Sequence, residues 1–120
     1  MKMKRFSRLV KLLGALALGV YASVSMAHVH LKQSVPAEGA TVTTAPTQIV
    51  LTFSEAALVT ALTIQQDGGA QQKLGPLPTE ASKTLTMPSP GLKSGKYVVT
   101  WRAVSPDKHV MSGQLHFQVS

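Results

Sequence analysis

The sequence has 120 residues, enough for one domain, and it contains no cysteine, which excludes disulfides and thiolate chemistry. Its 12 basic and 5 acidic residues give a formal net charge of +7, but five of the basic residues lie before Leu12. The seven basic residues that remain nearly balance the acidic ones. The charge therefore gives no argument for nucleic acid or an anionic membrane as a partner.

Residues 1–27 have the three-part layout of a secretory signal peptide. A basic leader is followed by an apolar run from Leu12 to Val20 and by small residues at Ser25 and Ala27. The apolar run is shorter than the roughly 20 residues that span a bilayer comfortably. We expect cleavage after Ala27 and a mature domain of residues 28–120. A cut after Ala22 also satisfies the small-residue rule, and an uncleaved anchor is the other alternative.

The mature chain predicts about seven short β-strands and no helix. Apolar and polar residues alternate in the main strand candidates, and turn residues recur between them. The candidates are Leu31 to Val35, Gln48 to Phe53, Leu62 to Gln66, Thr84 to Met87, Tyr97 to Val104 and Leu115 to Val119. This pattern predicts an all-β fold, a Greek-key β-sandwich of immunoglobulin-like type with Trp101 in its core. The stretch 65–90 is the least regular and predicts a long connection.

Cleavage after Ala27 makes His28 the first residue, and an N-terminal histidine is a special metal ligand. Its free amine and its imidazole Nδ1 can close a chelate ring on one ion, and such nitrogen donors suit Cu²⁺. Asp107 and His109 supply an oxygen and a second imidazole. If their segment is extended, side chains two residues apart project to the same side and can converge. Met111 falls on that side as well, but an isolated methionine is expected to fill the core.

The other histidines and one carboxylate leave alternatives open. His30 can bind Cu²⁺ together with deprotonated backbone amides, can assist the His28 site, or can lie at a strand edge without a metal role. His116 alternates with core residues and is expected to be an ordinary exposed strand residue. Glu55 either accepts a hydrogen bond from a metal-bound histidine or is a plain surface carboxylate.

Several blocks of the sequence carry a family resemblance. They are His28-Val29-His30-Leu31, Pro36-Ala37-Glu38-Gly39, Phe53-Ser54-Glu55, the run from Trp101 to His109 (WRAVSPDKH), and Ser112-Gly113. In this order and spacing the chain resembles the CopC family of periplasmic copper-resistance proteins along nearly the whole mature region. The resemblance implies a β-sandwich, cleavage after Ala27, and a Cu²⁺ site formed by His28, Asp107 and His109. It also implies an inner-membrane copper-transport protein as partner.

The resemblance has one clear departure. Some members of the family carry a second, Cu⁺ site made of methionines clustered in a loop, and soft Cu⁺ needs such thioether donors. The corresponding residues 65–73 of this chain contain no methionine. We therefore expect no methionine-rich Cu⁺ site.

The expected function is that of a soluble, monomeric periplasmic carrier or buffer of Cu²⁺, and not of an enzyme. A site with its equatorial positions filled by protein donors suits binding better than catalysis. Two other functions are the alternatives. One is an oxidative copper enzyme built on an N-terminal histidine, and the other is a metal-free immunoglobulin-like interaction module.

Overall fold

The computed structural model of the protein describes residues 29–120, which contain seven β-strands and no helix. The strands are β1 (Leu31–Val35), β2 (Ala40–Val42), β3 (Gln48–Gln66), β4 (Gln71–Lys73), β5 (Ser82–Pro88), β6 (Gly95–Val104) and β7 (Val110–Val119). Within this range no helix has the length and apolarity needed to cross a membrane. His28 and the predicted signal peptide lie outside the described residues.

Strand β3 joins two sheets. Its first half pairs antiparallel with β1 on one side and with β5 on the other. Its second half pairs with β4 and β6, and this sheet continues through β7 to β2, which runs parallel to β7. The pairing register of β3 shifts between Thr52 and Ala57 and again between Val59 and Ala61. Such irregularities let one long strand serve both sheets of a sandwich.

The core forms between the two sheets, as the alternation predicts. The inward residues of β3, β6 and β7 are buried, namely Ile49, Leu51, Phe53, Tyr97, Val99, Trp101, Leu115, Phe117 and Val119. Trp101 packs edge-on against Phe53 with ring centroids 5.3 Å apart. Tyr97 stacks on Phe117 at 5.4 Å. The prediction of an all-β sandwich with Trp101 in its core is therefore confirmed.

One glycine of β7 is required by the packing of that tryptophan. Gly113 lies directly opposite Trp101 in the β6–β7 pairing. A Cβ atom at this position would lie 2.7 Å from Cζ2 of the indole ring, closer than real side chains approach. The Ser112-Gly113 block thus has a structural reason, because the absence of a side chain lets the indole lie flat against β7.

The strand prediction was incomplete in three respects. Neither β2 nor β4 was predicted, because each has three residues and no clear alternation. The predicted strands at Gln48 and Leu62 belong to one strand, because buried Ala57 and Val59 continue the alternation between them. The predicted long connection 65–90 holds β4 and β5, so its irregular part is shorter than expected.

Candidate metal centre

A tight turn between β6 and β7 carries the predicted ligands Asp107 and His109. The backbone N–H of Ser105 donates to the carbonyl of His109 at 3.0 Å, which closes the turn. The N–H of Lys108 donates back to the carbonyl of Ser105 at 2.9 Å. Lys108 has a φ of 68°, in the left-handed region that few residues other than glycine adopt. The chain therefore reverses direction within five residues.

The segment is not extended, which was the condition set for convergence of the two side chains, but the side chains do converge. Residues 106 and 107 form a turn, because the hydrogen bonds of Ser105 fold the segment back on itself. Within this turn Oδ2 of Asp107 lies 2.8 Å from Nδ1 of His109. Carboxylate and imidazole thus meet through turn geometry and not through strand alternation.

The hydroxyl of Ser105 holds this pair in place. Ser105 is 6% exposed and is the buried polar residue of the region that the structure describes. Its Oγ donates a hydrogen bond to Oδ1 of Asp107 and accepts one from the backbone N–H of His109 at 3.2 Å. The hydrogen bond from Ser105, followed by the one from His109, lowers the pKa of Asp107 below its ordinary value. Asp107 is therefore an ionised acceptor near neutral pH.

This arrangement determines which nitrogen of His109 is available to a metal. An ionised carboxylate can only accept hydrogen bonds, so Nδ1 of His109 is the nitrogen that carries hydrogen in the contact with Asp107. In the neutral ring Nε2 then has the free lone pair. A carboxylate that orients a metal-binding histidine in this way is a common feature of metal sites.

A depression of about 220 Å³ lies beside the Asp107–His109 pair, and we call it the turn depression. It is lined by Val29, Glu55, Ser105, Pro106, Asp107, His109 and Met111. The lining brings two carboxylates, one imidazole and one thioether to a single place. It also includes Val29, the residue that directly follows His28 in the chain.

The two accessory candidates differ in their relation to the turn depression. Glu55 lines it, on the strand β3. His30 is exposed and is not part of the lining. Its backbone exchanges hydrogen bonds with Ser54, because the N–H of His30 donates to Oγ at 3.0 Å and its carbonyl accepts from the Ser54 N–H at 2.8 Å. These bonds fix the backbone next to Val29 against β3.

His116 is exposed as predicted, but it has a partner that the sequence did not reveal. Glu38, in the turn between β1 and β2, accepts from Nδ1 of His116 at 2.9 Å and from its backbone N–H at 2.8 Å. The backbone hydrogen bond is the main cause of a lowered pKa at Glu38. The Pro36-Ala37-Glu38-Gly39 block thus ties the loop before β2 to β7.

A larger depression, of about 500 Å³, lies beside His116, and Lys96 is in its lining. A lysine ammonium disfavours a second cation nearby, and Nδ1 of His116 is already engaged by Glu38. The smaller turn depression is therefore the better candidate for a metal. Among residues 29–120, no three side chains of the usual metal-ligating types are close enough to form a complete cluster.

Comparison with known protein families gives a match to the CopC domain over residues 31–120. Copper resistance protein C of Escherichia coli is 36% identical over an alignment of 124 positions, which covers 90% of this chain and 93% of that protein.

Solved structures give the same result for the fold. The crystal structure of CopC from Methylosinus trichosporium OB3b superimposes with a TM-score of 0.66 at 24% identity, covering 78% of this chain and 94% of that one. PcoC from Escherichia coli, described as a methionine-rich copper resistance protein, gives a TM-score of 0.58 at 32% identity. That match covers 78% of this chain and all of the other.

Proposed function

The chain belongs to the CopC family, and from that premise we propose that it is a periplasmic protein that binds one Cu²⁺ ion and carries or buffers copper. The observation that carries the proposal is the Asp107–His109 pair at the turn depression. This pair presents an imidazole with a free Nε2 beside an ionised carboxylate. Nitrogen and oxygen donors of this kind are those that Cu²⁺ accepts in a tetragonal arrangement.

The remaining donors come from the mature N-terminus. Val29 lines the turn depression, and consecutive Cα atoms are about 3.8 Å apart, so His28 has only a short distance to bridge. In the proposed site its amine and its Nδ1 form a chelate, and Nε2 of His109 and a carboxylate oxygen of Asp107 complete the plane. Glu55 is the accessory carboxylate, and His30 has no direct role.

Binding through Asp107 gives its carboxylate a third partner. One oxygen of Asp107 accepts a hydrogen bond from Ser105 and the other accepts one from His109. An oxygen that binds Cu²⁺ must share or release one of these contacts. The two roles of Asp107, ligand and orienting partner of His109, therefore predict different spectra for an Asp107→Ala variant with one Cu²⁺ bound. Electron paramagnetic resonance distinguishes them, because losing an equatorial oxygen changes the donor set directly.

The filled donor set favours a carrier over an oxidative copper enzyme. An enzyme that oxidises polysaccharides needs an open equatorial position and a substrate face, which commonly displays aromatic side chains. The aromatic residues of the described region are Phe53, Tyr97, Trp101 and Phe117, and all four are buried in the core. In the proposed role the mature protein is a soluble monomer, and it exchanges copper with an inner-membrane transport protein.

The decisive test compares two forms of the mature protein. One begins at His28, and the other carries four additional residues, Gly-Ser-Gly-Ser, before it, so that no histidine is the third residue from the amine. The form beginning at His28 should bind one equivalent of Cu²⁺ tightly in a competition titration. The extended form should lose affinity by about 100-fold or more, because its amine is no longer part of the histidine chelate. Circular dichroism of both forms provides the control that the fold is unchanged.

Equal Cu²⁺ affinity of the two forms would contradict the proposal. So would mass spectrometry of the exported protein if it showed a mature chain that starts at a residue other than His28. Affinity should also fall as the pH is lowered, because the amine and both imidazoles must be deprotonated to bind.

A further inference from the structure

A thioether lies in the lining of the turn depression, beside the imidazole of the proposed copper site. Met111 is half-buried, and it packs against the core while it also lines the depression with Asp107 and His109. The sequence placed this residue on the side of Asp107 and His109 and gave core packing as its expected role, and the structure shows both positions. Met111 thus offers a soft sulfur donor beside harder oxygen and nitrogen donors.

The strand geometry explains why Met111 and His109 face the same space. Both flank Val110, whose side chain is 65% exposed. Successive residues of an extended chain point to opposite sides, so the neighbours of Val110 share the other side. The pairing of Met111 with Ala103 on β6 fixes this orientation at the start of β7.

The second methionine of the described region has a different environment. Met87 lies on β5, is 3% exposed and belongs to the core cluster. It lines neither the turn depression nor the larger depression beside His116. A thioether is therefore available to a metal at the turn depression through Met111, and Met87 serves as an internal comparison.

The chemistry of these donors separates the two oxidation states of copper. Carboxylate oxygen suits Cu²⁺, thioether sulfur suits Cu⁺, and imidazole binds both. A site that offers all three can keep the ion when its oxidation state changes, by exchanging one donor for another. On the basis of the proposed function, we propose that the turn depression also holds Cu⁺. Met111 and His109 are the ligands of this ion, and Asp107 is released.

The proposed Cu⁺ site differs from a methionine-rich loop site. It needs one methionine, and that methionine lies at the Cu²⁺ centre itself. Residues 65–73, where the loop site was expected to be missing, contain no methionine. A single centre would then accept and deliver copper in either oxidation state, and the protein would need no second site for Cu⁺.

Nuclear magnetic resonance tests the inference on the unmodified mature protein. Residues 28–120 contain two methionines, so labelling with [¹³C-methyl]methionine gives two methyl signals. Cu⁺ is diamagnetic, so both signals stay visible after anaerobic addition of one equivalent. The Met111 signal should shift while the Met87 signal stays in place. An unchanged Met111 signal would overturn the inference, whether Cu⁺ bound elsewhere or did not bind.

A pair of variants gives the second test. Met111→Leu conserves the volume of the side chain and removes the sulfur, and Met87→Leu makes the same change in the core. Met111→Leu should weaken Cu⁺ binding by about tenfold or more in an anaerobic chelator competition, with Cu²⁺ affinity changed by less than about threefold. Met87→Leu should retain both affinities. Equal Cu⁺ affinity of the wild type and Met111→Leu would overturn the inference.

The same measurements distinguish this inference from the proposed function. If the wild type fails to bind one Cu²⁺ tightly, the proposed function is wrong and the inference falls with it. If Cu²⁺ binds tightly but Cu⁺ affinity does not depend on Met111, the inference alone is overturned.

Discussion

Two histidine–carboxylate pairs lie along strand β7. Their contact geometry is similar, but their surroundings differ. His109 lies just before the first residue of β7 and His116 lies seven residues later, which corresponds to about 23 Å along an extended chain. The two contacts, to Asp107 and to Glu38, measure 2.8 and 2.9 Å. The histidine side chains are 60% and 52% exposed. Distance and exposure alone therefore do not identify the metal centre.

The difference lies in what surrounds each pair. Asp107 and His109 are two residues apart, and the hydroxyl of Ser105 orients the carboxylate. Glu38 and His116 are 78 residues apart, and Glu38 also accepts the backbone N–H of His116. The local pair lies at a depression lined with further donors, and the long-range pair fastens a loop to a strand. The same two side-chain types thus serve a proposed metal site in one place and the fold in the other.

The largest expected effect comes from removing each histidine in turn. His109→Ala should weaken Cu²⁺ binding by about 100-fold or more, because it removes a proposed ligand. His116→Ala should change the affinity by less than about threefold, because it removes a contact of the fold. Competition titration of the two mature variants beside the wild type measures both effects.

The two variants control for each other, since each removes an exposed imidazole that contacts a carboxylate. A similar loss of Cu²⁺ affinity in both would break the distinction between the pairs. The distinction would also fail if His109→Ala bound copper as tightly as the wild type does.

Ser105 allows a finer test, because the Glu38–His116 pair has no equivalent hydroxyl among its hydrogen-bond partners in the described region. Ser105→Ala leaves Asp107 and His109 in the chain but removes the group that orients them. We expect a loss of Cu²⁺ affinity on the order of tenfold, in the range found when the hydrogen-bond partners of metal ligands are removed. Electron paramagnetic resonance should show an altered geometry of the bound ion.

Two further variants separate positioning from a general loss of stability. Ser112→Ala removes an exposed hydroxyl from β7 and should leave the affinity and the spectrum unchanged. Ser105→Thr keeps the hydroxyl and should restore most of the affinity. If Ser105→Ala has the spectrum of the wild type, the hydroxyl does not position the ligands.

Much of the fold follows from the sequence, because burial of one face of a strand places apolar residues at every second position. The strands with strong alternation, such as those containing Leu51 and Val99, were predicted and are present. The three-residue strands β2 and β4 were not, since so few residues cannot establish a period. Their positions depend on pairing with distant strands, which no local pattern records.

The candidate site was likewise predicted from the sequence only in part. The spacing of Asp107 and His109 pointed to a shared location, but the turn that brings them together depends on hydrogen bonds of Ser105. The Glu38–His116 contact joins residues 78 positions apart, and a single sequence gives no signal for it. The place of Met111 in the turn depression likewise depends on the approach of β3 and of the N-terminal segment to the β6–β7 turn.

The pH dependence of the Glu38 contact follows from the direction of its pKa. The hydrogen bond from the backbone N–H of His116 favours the ionised carboxylate and lowers the pKa of Glu38 below its value of 4.5 in an unstructured chain. The unfolded chain therefore binds a proton at a higher pH than the folded chain does. The stabilisation from this contact is fully present above the unfolded pKa and is lost as the pH falls through the folded one.

The smallest expected effect is therefore on stability, and it concerns Glu38→Gln. Glu38 is 61% exposed, so water screens its contacts, and we expect the variant to be destabilised by about 0.5–1 kcal/mol near pH 6. The difference should shrink towards about pH 3, where the wild-type carboxylate also takes up a proton. Thermal unfolding of both proteins across this range measures it, as a difference in Tm of about 2–8 °C near pH 6. Glu80→Gln, at another exposed glutamate, is the matched control and should follow the wild type at every pH. A Glu38→Gln difference that grew as the pH fell would contradict the assigned sign, and with it the structural role that sets Glu38 and His116 apart from the proposed copper-binding pair.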